Sequence, residues 1–178
     1  MTGQPISDAE LGSVFEAAKW APSAYNVQPW RFVYAKRNTS RFDDLLRLLV
    51  PANSVWCRQA SVLVIVFAAN YYQYKGRTQV QKLNVFESGM ACMSMLLEAS
   101  GRGLLAHPMS GFDVDKTYRL LNVTRKSHTV LAFVAIGRRA DTEHRPYELI
   151  SQRHRQNVFV FRDRFVNTDP TDADVKQS

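Results

Sequence analysis

Apolar residues recur along this chain with two different periods, and the change of period marks its elements. Leu11, Val14, Phe15 and Ala18 keep a helical spacing, and Ser7-Asp8-Ala9-Glu10 ahead of them is a capping box, so an amphipathic helix begins at Ser7. It ends near Trp20, because Pro22 disfavours helical geometry in the residue before it and opens a polar loop over 22–29. The run Trp30-Arg31-Phe32-Val33-Tyr34-Ala35 is aromatic and β-branched, which predicts a strand. A second helix follows Ser40, with Phe42, Leu45, Leu46 and Leu49 on one side, and stops at Pro51. Residues 61–69, SVLVIVFAA, are apolar at nearly every position and read as a strand buried on both faces at the centre of a sheet. A polar, tyrosine-rich loop over 70–77 follows.

The helix predicted next, over 83–100 with Gly101 as its C-terminal cap, carries apolar residues almost all the way round. A single small domain has too little interior to cover such a helix on every side, so part of it is expected to pack on a second copy of the chain. After 103–112 come a short helix capped by Asp113, with Tyr118, Leu120 and Leu121, and a last buried strand over 130–136 ended by Gly137. These elements fill one domain over 1–165, and the polar, acidic stretch 166–178 reads as a disordered tail.

Composition narrows the class. With 178 residues and 46% hydrophobic content the chain suits one globular domain. Its longest apolar run, 62–69, is far below the roughly 20 residues a membrane span needs. The N-terminal MTGQPISDAE has neither the basic start nor the apolar run of a secretory signal, so a cytoplasmic location is expected. Cys57, in a polar stretch, and Cys92, in a helical one, read as reduced thiols. The net charge of +7 raises the question of nucleic acid, but the bases are scattered and lack an RNA-binding aromatic signature or zinc-finger spacing. A small anionic ligand such as a phosphorylated cofactor accounts for local positive charge equally well.

Hydrolytic and metal chemistry find little support. His107, His128, His144 and His154 show no metal-ligand spacing, and no C-x-x-C, G-x-S-x-G, P-loop or G-x-G-x-x-G occurs. Two loops stand out instead. In Ala21-Pro22-Ser23-Ala24-Tyr25-Asn26-Val27-Gln28-Pro29-Trp30, two prolines stiffen a segment whose Ser23, Asn26 and Gln28 can hold a flat polar ring or can simply satisfy their own backbone. In His107-Pro108-Met109-Ser110-Gly111-Phe112-Asp113, a proline-fixed turn leads to a glycine that permits close backbone approach; the alternative is an ordinary turn with Asp113 as an N-cap.

The segments AAKWAPSAYNVQPWRFVYA and GLLAHPMSGFD resemble the nitroreductase family, and the likeness runs from about Pro5 to about Phe161, including Arg153 and Arg155 ahead of Phe159-Val160-Phe161. The resemblance implies an α+β fold, a central mainly antiparallel sheet flanked by helices, in an intertwined homodimer with FMN bound where the subunits meet. It places Ser23, Asn26 and Gln28 near the flavin of the neighbouring subunit, and Pro108, Met109, Ser110 and Gly111 against the isoalloxazine and its N5. Arg153 and Arg155 match the basic pair that faces the FMN phosphate, and Tyr25 would sit near substrate. Apart from the resemblance, the loop over 70–77, with Tyr71, Tyr72 and Tyr74, can line an acceptor pocket by stacking or can be an exposed connection. Glu87, at a usually acidic position on the long helix, reads as structural. Family members open with a basic R-R-S-x-R-like segment that binds the flavin phosphate and ribityl chain, and this sequence starts after its place, so by itself it is expected to bind FMN weakly, differently or not at all.

The implied activity is ping-pong hydride transfer from NADH or NADPH, through FMN, to a nitroaromatic, quinone or related small electron acceptor. No catalytic side chain is needed, because the flavin carries the chemistry. A redox-dead flavin-binding or sequestering dimer of the same fold is the alternative.

Overall fold

The computed structural model describes residues 1–140 and 153–165. The chain divides into two compact units, Met1–Ala140 and Asp141–Ser178. Helix α1 spans Asp8–Lys19, strand β1 Trp30–Lys36, α2 Ser40–Leu46, α3 Pro51–Cys57 and β2 Val62–Ala69. Then come β3 (Tyr71–Tyr74), β4 (Arg77–Val80), α4 (Asn84–Gly101), β5 (Leu104–Met109), α5 (Val114–Leu121) and β6 (His128–Arg138). The described part of the second unit, 153–165, holds one 3-10 turn, Gln156–Val158. The tail over 166–178 lies outside the described residues.

Four strands form one antiparallel sheet in the order β1-β2-β6-β5. β2 is central, as its unbroken apolar run predicts, and its side chains divide by parity. Val62, Val64 and Val66 join Leu11, Val14, Ala91, Met95 and Ala99 beneath α1 and α4. Leu63, Ile65 and Phe67 join Phe42, Leu45, Leu49 and Cys57 beneath α2 and α3 on the opposite face. The fold is therefore three layers with a core on each side of the sheet, the mixed helix and antiparallel-sheet class that the resemblance implies.

Glu10 closes the capping box at Ser7, its Oε2 accepting from the Ser7 amide at 3.0 Å, and it also bonds Arg138 at the end of β6 at 2.8 Å. The Ser7 side chain and backbone, then Arg138, hold its carboxyl down to about 2 from an ordinary 4.5. A depressed carboxylate pKa contributes stability that is complete above 4.5 and is lost as pH falls toward 2. Glu10→Gln is accordingly expected to lower the thermal midpoint at pH 7, with the gap between variant and parent shrinking as pH falls through that window. A gap unchanged with pH would contradict this.

Several elements differ from the sequence reading. Pro51 does end α2, but it also starts α3 as its first residue, where a missing N–H costs nothing. Gly101 lies inside α4, and Gly103, at φ +72, makes the left-handed exit instead. Residues 70–77 are not a plain loop: they enter a β3–β4 hairpin turning at Lys75 and Gly76, which both have positive φ (48 and 74), the geometry a two-residue hairpin turn requires. Pro108 is not in a turn but within β5, opposite Val134, and it is tolerated there because β5 is an edge strand. Cys57 is fully buried rather than polar in surroundings, and burial pushes its thiol up to about 12. No described helix is long and apolar enough to cross a membrane.

Candidate functional site

The segment between α1 and β1 is anchored at both ends by buried residues, Ala21 on one side and Pro29 and Trp30 on the other. Between them Tyr25, Asn26 and Gln28 all take left-handed backbone angles, at φ 52, 55 and 51. Non-glycine residues pay roughly 1–3 kcal/mol each for such angles, least for asparagine, and hold them only where the surroundings over-determine them. Here they do. Ser23 Oγ accepts from the Gln28 amide at 2.9 Å, and Gln28 Nε2 donates to both the carbonyl (3.2 Å) and the side-chain oxygen (2.9 Å) of Asn26. Arg31 donates through one nitrogen to the carbonyls of Gln28 (2.8 Å) and Trp30 (2.7 Å).

The strongest tie comes from α4. Glu87 is 1% exposed, and its two oxygens accept separately from the Ala24 amide at 2.7 Å and from Gln81 Nε2 at 2.8 Å. One buried side chain thus binds the strained loop to the base of the hairpin. Asn70 fixes the other side of that base: its Nδ2 donates to the carbonyls of Arg125 (3.0 Å) and Lys126 (3.2 Å), and its Oδ1 accepts from Asn84 and Thr129, both at 2.7 Å. With four bonds the Asn70 amide is saturated.

Loop and hairpin enclose a cleft of about 440 Å³. Tyr25 projects outward, 74% exposed, and its ring lies 6.5 Å from that of Tyr72 at an interplanar angle of 19°, and 5.2 Å from that of Tyr74. Pro29, Arg31 and Gln73 complete the walls. Ser23, Tyr25, Asn26, Gln28 and Tyr72, singled out from the sequence, are therefore neighbours. Tyr74, Glu87, Gln81, Asn70 and Arg31 join them. Of these, Gln81, Asn70 and Arg31 carry no sequence signal, because their roles depend on which backbone carbonyls and amides the fold places beside them.

The second predicted segment lies elsewhere. Pro108 and Ser110 are exposed, whereas Met109 points into the core, its sulfur 3.7 Å from that of Cys57. Ser110 and Gly111 lie between the last β5–β6 pair, Met109 with Phe133, and the isolated bridge of Phe112 with Leu49. The Gly111 carbonyl accepts from the Val50 amide (3.0 Å) and Asn53 Nδ2 (3.1 Å), and a Cβ at Gly111 would come within 2.6 Å of that same nitrogen. The glycine thus lets this backbone close on the start of α3. Asp113 caps α5 by accepting from the Lys116 amide at 2.9 Å, the bond that chiefly holds its carboxyl below the ordinary range. Arg153 and Arg155 lie in the second unit, both exposed, just ahead of Gln156–Val158.

The two predicted ring-binding segments leave the sheet from opposite edges. The 22–29 loop feeds β1 and Ser110-Gly111 leaves β5, with β2 and β6 between. Three strand spacings, roughly 14 Å, separate them, so within one chain the two segments are not neighbours. Meanwhile α4 presents Phe86, Met93 and Leu97 outward, at 66%, 51% and 59% exposure, with the partly buried Met90 between them. Their spacing of four, three and four residues makes one continuous apolar seam. Among the described residues no cluster of His, Cys, Asp and Glu could hold a metal ion.

Known proteins share both the sequence and the fold. The model of the nitroreductase family matches residues 2–51 and 46–138. Protein DrgA of Synechocystis is 29% identical over 166 residues, covering 76% of each chain. A solved oxidoreductase containing FMN superimposes with a TM-score of 0.85 at 32% identity, over 94% of this chain and 87% of that one. A nitroreductase-type protein from Desulfovibrio desulfuricans, solved in complex with FMN, gives a TM-score of 0.64 at 25% identity, covering 84% of this chain and 87% of its own.

Proposed function

Because the chain belongs to the nitroreductase family, we propose that it is an FMN-dependent oxidoreductase that works as a homodimer, takes hydride from NADH or NADPH, and passes it to a nitroaromatic, quinone or related small acceptor. The observation that carries this reading is the separation of the two ring-facing segments to opposite sheet edges in a chain whose α4 keeps an uncovered apolar seam. A two-fold dimer through α4 resolves both facts at once. It covers the seam and lets the 22–29 loop of one copy complete a site begun by Ser110-Gly111 of the other, giving two equal sites per dimer.

The residues present suit a flavin. Pro108, exposed on the edge strand, offers a flat apolar surface, and the Ser110 and Gly111 amides stand beyond the regular ladder, where an N–H can meet a ring acceptor. Ser23, Asn26 and Gln28 form a pre-set polar rim that needs little reordering on binding. Arg153 and Arg155 are assigned to the phosphate, for which a guanidinium fork is the natural partner. FMN, when bound, supplies hydride acceptance from NAD(P)H and delivery to the acceptor in ping-pong order. The protein's own part is to hold the ring, stabilise charge developing at N5 through the Ser110 region, and admit a flat acceptor to the tyrosine cleft.

The test is oxidation of NADH or NADPH by the FMN-loaded protein, with a quinone or nitroaromatic as acceptor. Sustained turnover dependent on both partners is expected. Full flavin occupancy without turnover would instead make the chain a flavin-binding dimer that does no redox work.

A further inference from the structure

The tyrosine cleft has a charged side chain that its aromatic walls do not explain. Arg31 projects from β1 into the cleft and is exposed, yet one of its nitrogens is pinned by the carbonyls of Gln28 and Trp30, which fixes the orientation of the guanidinium. Those bonds use Nη1 and leave Nε and Nη2, the edge of the fork that grips a carboxylate, outside them. Among the described residues Arg31 forms no ion pair; residues 20–42 contain no acid, and neither does the hairpin region 70–82, which adds Lys75, Arg77 and Lys82. Its charge also reaches His128, whose imidazole is pushed down by burial first and by Arg31 second. A fixed cation with no ion-pair partner among the described residues, beside stacked tyrosines and with the nearby Glu87 carboxyl group buried and bonded to Ala24 and Gln81, is a site for a flat ring carrying negative charge.

We infer that the acceptor taken by this cleft is an aromatic bearing an anionic substituent, a nitrobenzoate-like or sulfonated ring, and that Arg31 is the residue that selects it. The inference deepens the oxidoreductase reading and rests on it for the word acceptor, though not for binding. The ring lies against Tyr25, Tyr72 and Tyr74, and the anion meets the Arg31 guanidinium. In turnover each nitro group consumes one NAD(P)H and one proton: hydride and proton are taken up, one N–O bond breaks, the oxygen leaves as water, and a nitroso group remains.

The test compares 4-nitrobenzoate with its uncharged isostere 4-nitrobenzamide, in two measurements on the purified FMN-loaded dimer. Calorimetric titration without NAD(P)H reads binding alone, and steady-state kinetics read the KM of each acceptor. Parent protein is expected to bind the anion at least about tenfold more tightly, the worth of one charge-assisted hydrogen bond. Arg31→Gln is expected to bring the two ligands to near equality, and Arg31→Lys, which keeps charge but loses the fork, to fall between. Equal binding of the two by the parent, or a preference that survives in Arg31→Gln of unchanged thermal midpoint, overturns the inference. So does an Arg31→Gln effect confined to the KM of NADH or NADPH, since the cation would then serve the reductant's phosphates. Arg31-dependent binding without any turnover would uphold the cleft while sinking the oxidoreductase reading; turnover of both acceptors with equal KM would do the reverse.

Discussion

Leu97→Glu is expected to turn the proposed dimer into a folded monomer and to abolish the proposed flavin binding. Leu97 lies at one end of the α4 seam, 59% exposed in the single chain, in line with Met93, Met90 and Phe86. Because it lies outside the chain's own core, a carboxylate there stays in water in the monomer and costs the fold little. Across a two-fold seam the same carboxylate is desolvated against apolar side chains, and each substitution acts twice by symmetry. A penalty of about 3 kcal/mol or more per dimer weakens association at least ~100-fold. Sedimentation equilibrium at micromolar protein should give twice the chain mass for the parent and the chain mass for the variant, with circular dichroism unchanged. Loss of FMN should accompany loss of the partner, because the 22–29 loop and the Ser110 segment then no longer meet. A parent that sediments as a monomer yet holds flavin would contradict the arrangement.

Glu87→Ala is expected to cost about 3–6 kcal/mol of stability, since two hydrogen bonds to a buried carboxyl group, each worth roughly 1.5–3 kcal/mol, disappear together. The Ala24 amide and the Gln81 side chain lose their acceptor, and a cavity opens beneath α4. Glu87→Gln offers a sharper comparison. It keeps the volume and an acceptor for Ala24, and a turn of the Gln81 amide restores the second bond, so its loss should be under half that of alanine. Alanine, which removes the Ala24 anchor, is expected to loosen Tyr25, Asn26 and Gln28 at their left-handed angles, and glutamine, which keeps it, to loosen them less. Urea unfolding gives the stability order, and acceptor KM should follow it. Equal losses in alanine and glutamine would mean that neither volume nor a replaceable acceptor is what the position supplies, and would contradict the part assigned to the two hydrogen bonds.

How far the molecule could be read from its sequence depended on whether a signal was local. The Ser7 to Glu10 capping box, the parity of β2 and the near-continuous apolar surface of α4 are local patterns, and each became the element expected. Proline was read for what it interrupts, so Pro51 hid the start of α3 and Pro108 concealed an edge strand. The hairpin does have a local signal, β-forming Tyr71 to Tyr74, the pair Lys75-Gly76, then Arg77 to Val80, which the polarity of 70–77 masks. In the candidate site, Ser23, Tyr25, Asn26 and Gln28 were recognisable as a group because Pro22 and Pro29 bracket them. Their left-handed backbone was not, since none of them is glycine and the strain is sustained by Glu87 from a helix 63 residues beyond Ala24. Arg31 read as an ordinary strand position because nothing in its spacing reports that two loop carbonyls orient it.

Two copies of the chain are proposed to assemble a flavin site from loops on opposite sheet edges. This is tested most directly by adding FMN to the purified protein, removing excess by gel filtration, and measuring flavin absorbance and molar mass across the same peak. The expected result is about one FMN per chain, eluting at the mass of a dimer. A colourless dimer, or flavin carried by a monomer, would contradict it.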